Sequence, residues 1–152
     1  MTNIEKKLIE LGLYLPECPK PVAAYLPIQK IGKTIYCSGQ TAFIDGRWIF
    51  PGKVGEDVTI EQAYESAKWS AVNCLSAIAT VANLDHIRIV RIHGWVNAVP
   101  TFGDQPKVIN GASELFEKLF GENGRHARSA IGVGSLPSNA SVEIEVICEE
   151  LD

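Results

Sequence analysis

The chain has 152 residues, which suits one domain with a sizeable hydrophobic core. Hydrophobic residues make up 46% of it and charged residues 21%, an ordinary composition for a globular protein. The net charge of -4 and the lack of any run of Lys or Arg argue against a general binder of nucleic acids or membrane surfaces, because such proteins depend on clustered positive charge.

The four cysteines are far apart in the sequence and form no CxxC pair, and the three histidines show no metal-ligand spacing with them. We therefore expect no metal site. Cys37 and Cys148 fall in strand-like runs and Cys74 falls in a helical run, so we expect all three to be small buried hydrophobic residues. Reduced thiols of this kind are typical of a cytoplasmic protein.

The N-terminal residues predict a short amphipathic helix over 2–11. Thr2 and Glu5 have the spacing of a capping box, in which each side chain bonds the other residue's backbone N–H. The stretch is too charged for a signal peptide, and no apolar run reaches the length of a membrane span. Prolines make residues 15–21 an extended connector.

Two strands are predicted next, over 22–31 and 34–38, joined by a two-residue Gly-Lys turn. The second of them ends in a Ser-Gly-Gln sequence. Residues 45–57 are rich in Gly and Asp and predict a loop with room for one short strand.

A longer helix is predicted over 59–84, where Thr59 and Gln62 form a second capping box. Its small and apolar residues recur at helical spacing, which lets the helix pack closely on a sheet: Ala63, Ala67, Ala71, Leu75, Ile78 and Ala82. The remaining predicted elements are a strand over 87–99, a helix over 104–120 and two strands over 129–136 and 141–149.

This order of elements predicts an α+β domain, in which two helices cover one face of a single sheet. The opposite face of the sheet is then either polar or buried by a partner, and the pattern leaves both open. We treat residues 1–152 as one domain, with the N-terminal helix, about residues 2–12, as an extension.

Residues 137–140 have the composition of a turn, so we expect the last two strands to pair as a hairpin. In that register Ile131 faces the helices, and Arg128 lies on the other face above Ala130 and Gly132. A floor of such small side chains leaves space for a ligand or for the backbone of a neighbouring subunit.

The same register places Arg128 on the face that carries the carboxylates, with Glu149 directly opposite it. Glu143 lies about 20 Å along the strands from Arg128, at about 3.3 Å per residue, and the two side chains together do not span that gap. If Arg128 and Glu143 share a site, we expect it to be built between two subunits.

Several stretches resemble the signature of the YjgF family, now usually called Rid, for reactive intermediate deaminase, and formerly the L-PSP endoribonuclease family. The C-terminal stretches are Ala127-Arg128-Ser129-Ala130-Ile131, Leu136-Pro137 and Val142-Glu143-Ile144-Glu145. The earlier ones are Ala24-Tyr25, Tyr36-Cys37-Ser38-Gly39-Gln40, Glu61-Gln62-Ala63 and Asn110. The resemblance covers nearly the whole chain.

The resemblance implies a chorismate-mutase-like α+β fold with a mixed sheet, assembled as a homotrimer whose sheets form a central barrel with three clefts between subunits. It implies hydrolysis of 2-imino acids and their enamine tautomers to 2-keto acids and ammonia, with no cofactor. In the catalytic pair, Arg128 holds the substrate carboxylate bidentately, and Glu143 positions a water and transfers protons. The substrate-binding residues it implies are Tyr25, Ser38, Gly39, Asn110 and Ala130.

Three departures from the family pattern indicate a divergent subgroup. His126 stands where relatives usually have Pro or Ala, Ala130 where the best-known deaminases carry a cysteine, and Ala23-Ala24 where relatives have Gly-Pro. The departures keep open an alternative function, a non-catalytic trimer that binds or senses small carboxylates. A ribonuclease is disfavoured, because one arginine without a pair of histidines suits phosphate chemistry poorly and the acidic charge opposes RNA.

Simpler interpretations of these residues remain open. Tyr25 is either a ligand contact or an interface aromatic, and Glu143 is either catalytic or a solvated carboxylate. Ser38 is better explained by a local turn hydrogen bond than by nucleophilic chemistry, because no histidine lies near it in sequence. His93 and His126 are expected to be structural or surface residues.

Overall fold

The computed structural model describes residues 1–18, 20–21 and 23–152. Its α-helices are α1 (Asn3–Glu10), α2 (Ile60–Ile78) and α3 (Gln105–Phe120). Its strands are β1 (Ile28–Ile31), β2 (Thr34–Gln40), β3 (Phe43–Ile44), β4 (Arg47–Trp48), β5 (Ile87–Asn97), β6 (Ala127–Val133) and β7 (Val142–Glu150). None of the helices found in the described residues has both the length and the apolar character that a membrane crossing requires.

One five-stranded sheet organises the fold, with the strand order β1-β2-β7-β5-β6. All neighbouring pairs are antiparallel except β5 and β6, which are parallel, so the sheet is mixed. Helices α2 and α3 pack on one face, and their apolar residues form the core together with those of the sheet. The predicted α+β class, with one mixed sheet and two helices on one face, is confirmed.

Local sequence signals account for the helices. Both predicted capping boxes are present, at Thr2 with Glu5 and at Thr59 with Gln62. The alanine-rich stripe of α2 is buried up to Ile78. The helix ends there rather than at residue 84, because the chain turns at residues 79–81 and the Thr80 hydroxyl donates to a backbone carbonyl of the last turn.

The N-terminal helix packs on the same core as the rest of the chain. Ile4 and Leu8 are buried within it. The carboxylate of Asp85 accepts hydrogen bonds from the backbone N–H groups of Asn3 and Ile4, at 2.9 and 3.0 Å. This distant carboxylate therefore satisfies two N–H groups that the helix itself leaves unpaired, and its charge complements the helix dipole.

The first predicted strand is much shorter than expected. It spans only Ile28–Ile31, because Pro27 has no N–H to offer a ladder and the chain bends at residues 23–25. Val22, where the strand was predicted to begin, lies outside the described residues. The loop over 45–57 contains one short strand, β4, as predicted, and β4 pairs with β3 just before the loop in a separate two-stranded hairpin.

The predicted pairing of the last two strands is wrong. β6 and β7 do not form a hairpin, because β5 lies between them and pairs with β6 in parallel and with β7 antiparallel. A short 3-10 turn at Pro137–Asn139 lies in the connection across the end of β5. Glu149 therefore lies beside Arg88, to which it forms an ion pair, and not opposite Arg128.

The faces assigned to β6 are reversed as a result. Arg128, Ala130 and Gly132 are aligned with Ile92, Gly94 and Val96 of β5, which point to the helices, whereas Ile131 points to the open face and is 44% exposed. The small residues of β6 fit under α3 rather than forming a floor for a ligand. A Cβ on Gly132 would lie 2.8 Å from the side-chain nitrogen of Gln105, at the start of α3.

The open face of the sheet is neither wholly polar nor wholly apolar. Carboxylates of β7 share it with aromatic and aliphatic side chains, including Tyr36, Ile131 and the stacked rings of His93 and Trp95. Tyr36 and Ile131 are each 44% exposed. Apolar groups gathered on one face are typical of a surface that meets another protein surface.

Candidate functional site

Arg128 lies in a hollow between α3 and β6, which we call the Arg128 hollow; it is lined by Asn110, Ser113, Glu114, Glu117, Gly124, Arg125, His126 and Arg128. The Nη1 group of Arg128 donates to Asn110 Oδ1 at 2.9 Å and to Ser113 Oγ at 3.0 Å. Asn110 and Ser113 are three residues apart on α3, so they lie on the same side of the helix. The guanidinium is thus held by neutral acceptors.

The charge of Arg128 is not compensated by an ion pair within the part of the chain that the structure describes. Its neighbour Arg125, by contrast, is mostly exposed and pairs with Glu122. Two carboxylates do line the hollow, and one of them, Glu114, accepts a hydrogen bond from the Tyr64 hydroxyl. A guanidinium held by neutral groups keeps its full charge for an incoming anion.

His126 belongs to the same hollow and is bonded on both ring nitrogens. Nδ1 lies 2.7 Å from the carbonyl oxygen of Gly124, and Nε2 lies 2.9 Å from Ser113 Oγ. Burial lowers the pKa of the imidazole, the nearby charge of Arg128 lowers it further, and the Gly124 hydrogen bond opposes both. The expectation that His126 is a structural residue agrees with these two hydrogen bonds, but it did not include the connection to Arg128 through Ser113.

Glu143 lies in a second hollow, the Glu143 cleft, a cavity of about 360 Å³ whose lining includes Tyr25, Gly39, Phe43, Trp48 and Glu143. Gly39 and Glu143 are in close contact: a Cβ on Gly39 would lie 2.8 Å from the Glu143 carboxylate oxygen Oε2. The absence of a side chain at Gly39 therefore leaves the space that the Glu143 carboxylate occupies. The rings of Phe43 and Trp48, 4.8 Å apart on the β3–β4 hairpin, form an apolar wall.

Burial raises the pKa of the Glu143 carboxyl, and the negative charge of the neighbouring Glu145 adds to this effect. The group is therefore more basic than an exposed glutamate, and it faces a cavity. A carboxylate with a raised pKa beside an open cavity is a candidate for general acid–base chemistry.

The remaining predicted residues are divided between the two regions and the core. Tyr25 is half exposed at the Glu143 cleft. Ser38 lies in an adjacent hollow, and its hydroxyl donates at 2.6 Å to the carbonyl of Leu26, twelve residues earlier, rather than forming the local turn bond that was expected. Ala130 is partly buried and packs against the core on the helix side of β6.

The structure does not bring Arg128 and Glu143 together within one chain. Arg128 is aligned with Ile92 of β5, and Glu143 is aligned with Trp95 three positions further along. Since side chains alternate between faces along a strand, the two residues point to opposite faces of the sheet. The predicted residues form two sets, Asn110 with Arg128 and Tyr25 with Gly39 and Glu143.

Sequence reasoning missed several groups that line these hollows. Ser113 could have been found from its helical spacing to Asn110, and His126 from its position two residues before Arg128 on the same strand side. No local signal marks Trp48 or Asn73, because the hairpin and the helix that carry them meet at the cleft only in the folded chain. Within the described ranges, no cluster of His, Cys, Asp and Glu has the makings of a metal site.

The family is shown by comparison of the whole sequence. Residues 5–150 match the family described as "YjgF/chorismate mutase-like, putative endoribonuclease". The chain belongs to this family. The resemblance noted from the sequence motifs is thereby confirmed.

Individual members agree with this assignment. Protein TCP17 of Trypanosoma cruzi is 34% identical over 150 residues, covering 97% of this chain and 94% of that protein. A 2-iminobutanoate/2-iminopropanoate deaminase of Dermatophagoides farinae is 27% identical, covering 87% and 90% of the two chains. The crystal structure of Atu1372 from Agrobacterium tumefaciens, described as of unknown function, superposes with a TM-score of 0.91 at 43% identity, over 97% of this chain and 92% of that one.

Proposed function

We propose that the protein hydrolyses reactive 2-imino acids, and their enamine tautomers, to 2-keto acids and ammonia. The observation that carries the proposal is the Arg128 guanidinium, oriented by neutral acceptors and without an ion pair in the described chain. A planar guanidinium binds a carboxylate through two parallel hydrogen bonds, which fixes the position of the adjacent C2 atom. The named deaminase among the relatives supports the same reaction.

Glu143 supplies the acid–base step of the proposed reaction. In its ionised form it removes a proton from a water that attacks C2 of the imine, and the C=N bond becomes a C–N single bond. The protonated carboxyl passes that proton to the nitrogen, which gives a carbinolamine. The carboxylate so regenerated takes the proton of the new C2 hydroxyl and delivers it to the same nitrogen, so that the C–N bond breaks, the C2 carbonyl forms and ammonia leaves. A raised pKa suits both halves of this cycle, because the group changes protonation state within it.

We further propose that the site is built between subunits of a homotrimer. Arg128 and Glu143 point to opposite faces of the sheet in one chain, so a cleft containing both needs Arg128 from one subunit and Glu143 from the next. The apolar residues on the open sheet face, such as Tyr36 and Ile131, are then covered by neighbouring subunits. Native mass spectrometry of the purified protein tests the trimer directly.

A second candidate function is a non-catalytic trimer that binds small carboxylates. Ala130 favours it, because its side chain packs against the core and offers no reactive group. Under this alternative 2-keto acids bind, but imine decay is not accelerated.

Ribonuclease activity is not our proposal, although the family description contains that word. His126 has both ring nitrogens engaged by protein groups, so neither is left to take a proton from an RNA hydroxyl. Incubation with labelled RNA is a useful parallel assay, and we expect no cleavage above background.

The deciding experiment generates 2-iminobutanoate freshly with an amino-acid oxidase and times the release of ammonia with and without the purified protein. We expect faster release with the wild-type protein and none beyond the uncatalysed rate with Arg128→Ala. The matched control is Arg88→Ala, which removes a partly exposed arginine that pairs with Glu149 and lines neither hollow, and which is expected to retain activity. Acceleration that survives Arg128→Ala contradicts the proposed role, and binding without acceleration establishes the second candidate.

A further inference from the structure

The hydrogen-bond capacity of Arg128 Nη1 is fully used. This nitrogen carries two hydrogens, and two acceptors face it, Asn110 Oδ1 at 2.9 Å and Ser113 Oγ at 3.0 Å. Nη2 makes one long contact, 3.5 Å to the Pro106 carbonyl. The plane of the guanidinium is thereby fixed, and its Nε–Nη2 edge is the one left to receive the two oxygens of a carboxylate.

The direction of the hydrogen bonds around Ser113 follows from His126. The Gly124 carbonyl can only accept, so Nδ1 of His126 carries the hydrogen in that 2.7 Å bond. In the neutral ring Nε2 is then an acceptor, and it receives the Ser113 hydroxyl hydrogen across 2.9 Å. Ser113 donates to His126 and turns its oxygen lone pairs to Arg128, so each donor in this chain of bonds has an acceptor.

The ring of His126 is itself held in place and kept neutral. It stands edge-on to Phe116, with ring centroids 6.2 Å apart. Burial lowers the pKa of the imidazole, and Arg128 adds to this, while the negative charge of Glu117 opposes it. A protonated ring would present an N–H to Ser113 where the neutral ring presents a lone pair.

We propose that Ser113 and His126 are positioning residues, which turn the guanidinium of Arg128 so that its Nε–Nη2 edge receives the substrate carboxylate. His126 acts through Ser113 and does not touch the substrate. The use of uncharged acceptors separates this arrangement from an Arg–carboxylate pair, which would neutralise the cation that the ligand needs. The proposal rests on the proposed function for the identity of the ligand.

The test uses two amides that imitate the two ring nitrogens of histidine separately. His126→Gln places an acceptor near the position of Nε2, whereas His126→Asn places a donor near Nδ1 and leaves Ser113 without its acceptor. With 2-oxobutanoate as probe, we expect Ser113→Ala and His126→Asn to raise the dissociation constant about fivefold to tenfold, as for the net loss of one typical hydrogen bond. His126→Gln is expected to recover most of the affinity, and KM is expected to rise more than kcat falls.

Equal weakening by the Gln and Asn variants would overturn the proposal, because His126 would then act only by filling space. Thermal unfolding of each variant checks that it is folded. A second measurement does not need a ligand: NMR of the Arg128 guanidinium is expected to show restricted rotation in wild type and His126→Gln, and faster rotation in Ser113→Ala.

The two proposals fail in different ways. Wild-type protein that neither binds 2-oxobutanoate nor accelerates imine hydrolysis refutes the proposed function, while restricted rotation that depends on Ser113 would still establish the positioning. Rotation that is equally free in all variants refutes the positioning even where the ligand binds.

Discussion

The Arg128 hollow and the Glu143 cleft lie on opposite faces of one sheet, and the protein holds the two charged groups by different means. Arg128 is fixed by the hydrogen bonds that it donates to uncharged groups, which orient it and preserve its charge. The pKa of the Glu143 carboxyl is raised by burial and by the negative charge of Glu145. The difference matches the two tasks that we propose, since an anchor needs direction and an acid–base group needs a suitable pKa.

The largest effect is expected from removing Arg128 or Glu143, first in every copy of the chain and then in different copies of the same trimer. Arg128→Ala and Glu143→Gln should each lower kcat/KM about 100-fold or more. When the two variants are co-expressed, about one quarter of the clefts in random mixed trimers should combine an intact Arg128 with an intact Glu143. Imine hydrolysis by the mixed sample is measured against each variant alone.

Recovery to about one quarter of wild-type activity is the expected result for a cleft shared between subunits. Activity that stays at the level of the single variants would mean that both groups act within one chain, or that subunits do not exchange partners. Native mass spectrometry of the same sample separates these two, because it shows whether mixed trimers have formed.

A smaller loss is expected when the Glu143 carboxylate is displaced without removing it. Gly39→Ala introduces a Cβ that would lie 2.8 Å from Oε2, so the carboxylate must move. Because the clash is with the end of a side chain, folding stability should change little while kcat/KM falls about tenfold. Gly134→Ala is the matched control, since nothing lies within 4 Å of a Cβ there. A large loss of stability in Gly39→Ala would show that the position is constrained by the backbone.

The pH dependence of activity should follow Glu143. Burial raises its pKa above the ordinary value of 4.5, so the carboxylate form required to activate water is lost at a higher pH than for an exposed glutamate. We expect kcat/KM to rise with pH through this raised pKa, and Glu143→Gln to remove that rise. An unchanged acid limb in Glu143→Gln would assign it to another group. The profile is measured with the oxidase-coupled assay, each point corrected for uncatalysed decay.

The smallest effect is expected from protonation of His126, which should change how the free energy of unfolding depends on pH. The pKa of the folded imidazole is below 6.5, so the unfolded chain takes up the proton first as pH falls. The contribution of His126 to the free energy of unfolding is therefore complete above about pH 6.5 and is lost as pH falls toward the folded pKa. Urea unfolding at pH 7 and pH 5 should show a larger drop for wild type than for His126→Gln. An equal drop would show that His126 does not titrate differently on folding.

The sequence by itself determined the elements and the family. Some signals depend only on residues three or four positions apart, namely the capping boxes at Thr2 and Thr59 and the alanine stripe of α2. The structure contains all three at the predicted positions. The Arg128 and Glu143 motifs are likewise short stretches that can be recognised without knowing what they pack against. Local patterns of this kind determine which elements form.

Only the tertiary structure decided which strand lies beside which. The turn at residues 137–140 suggested a hairpin, yet β5 separates β6 from β7, and this reverses the face on which Arg128 lies. The link from Arg128 through Ser113 to His126 depends on the same arrangement, because α3 packs over β6. Strand order is settled by the burial of whole faces across distant parts of the chain, and an alternating pattern fits either face until its neighbour is known.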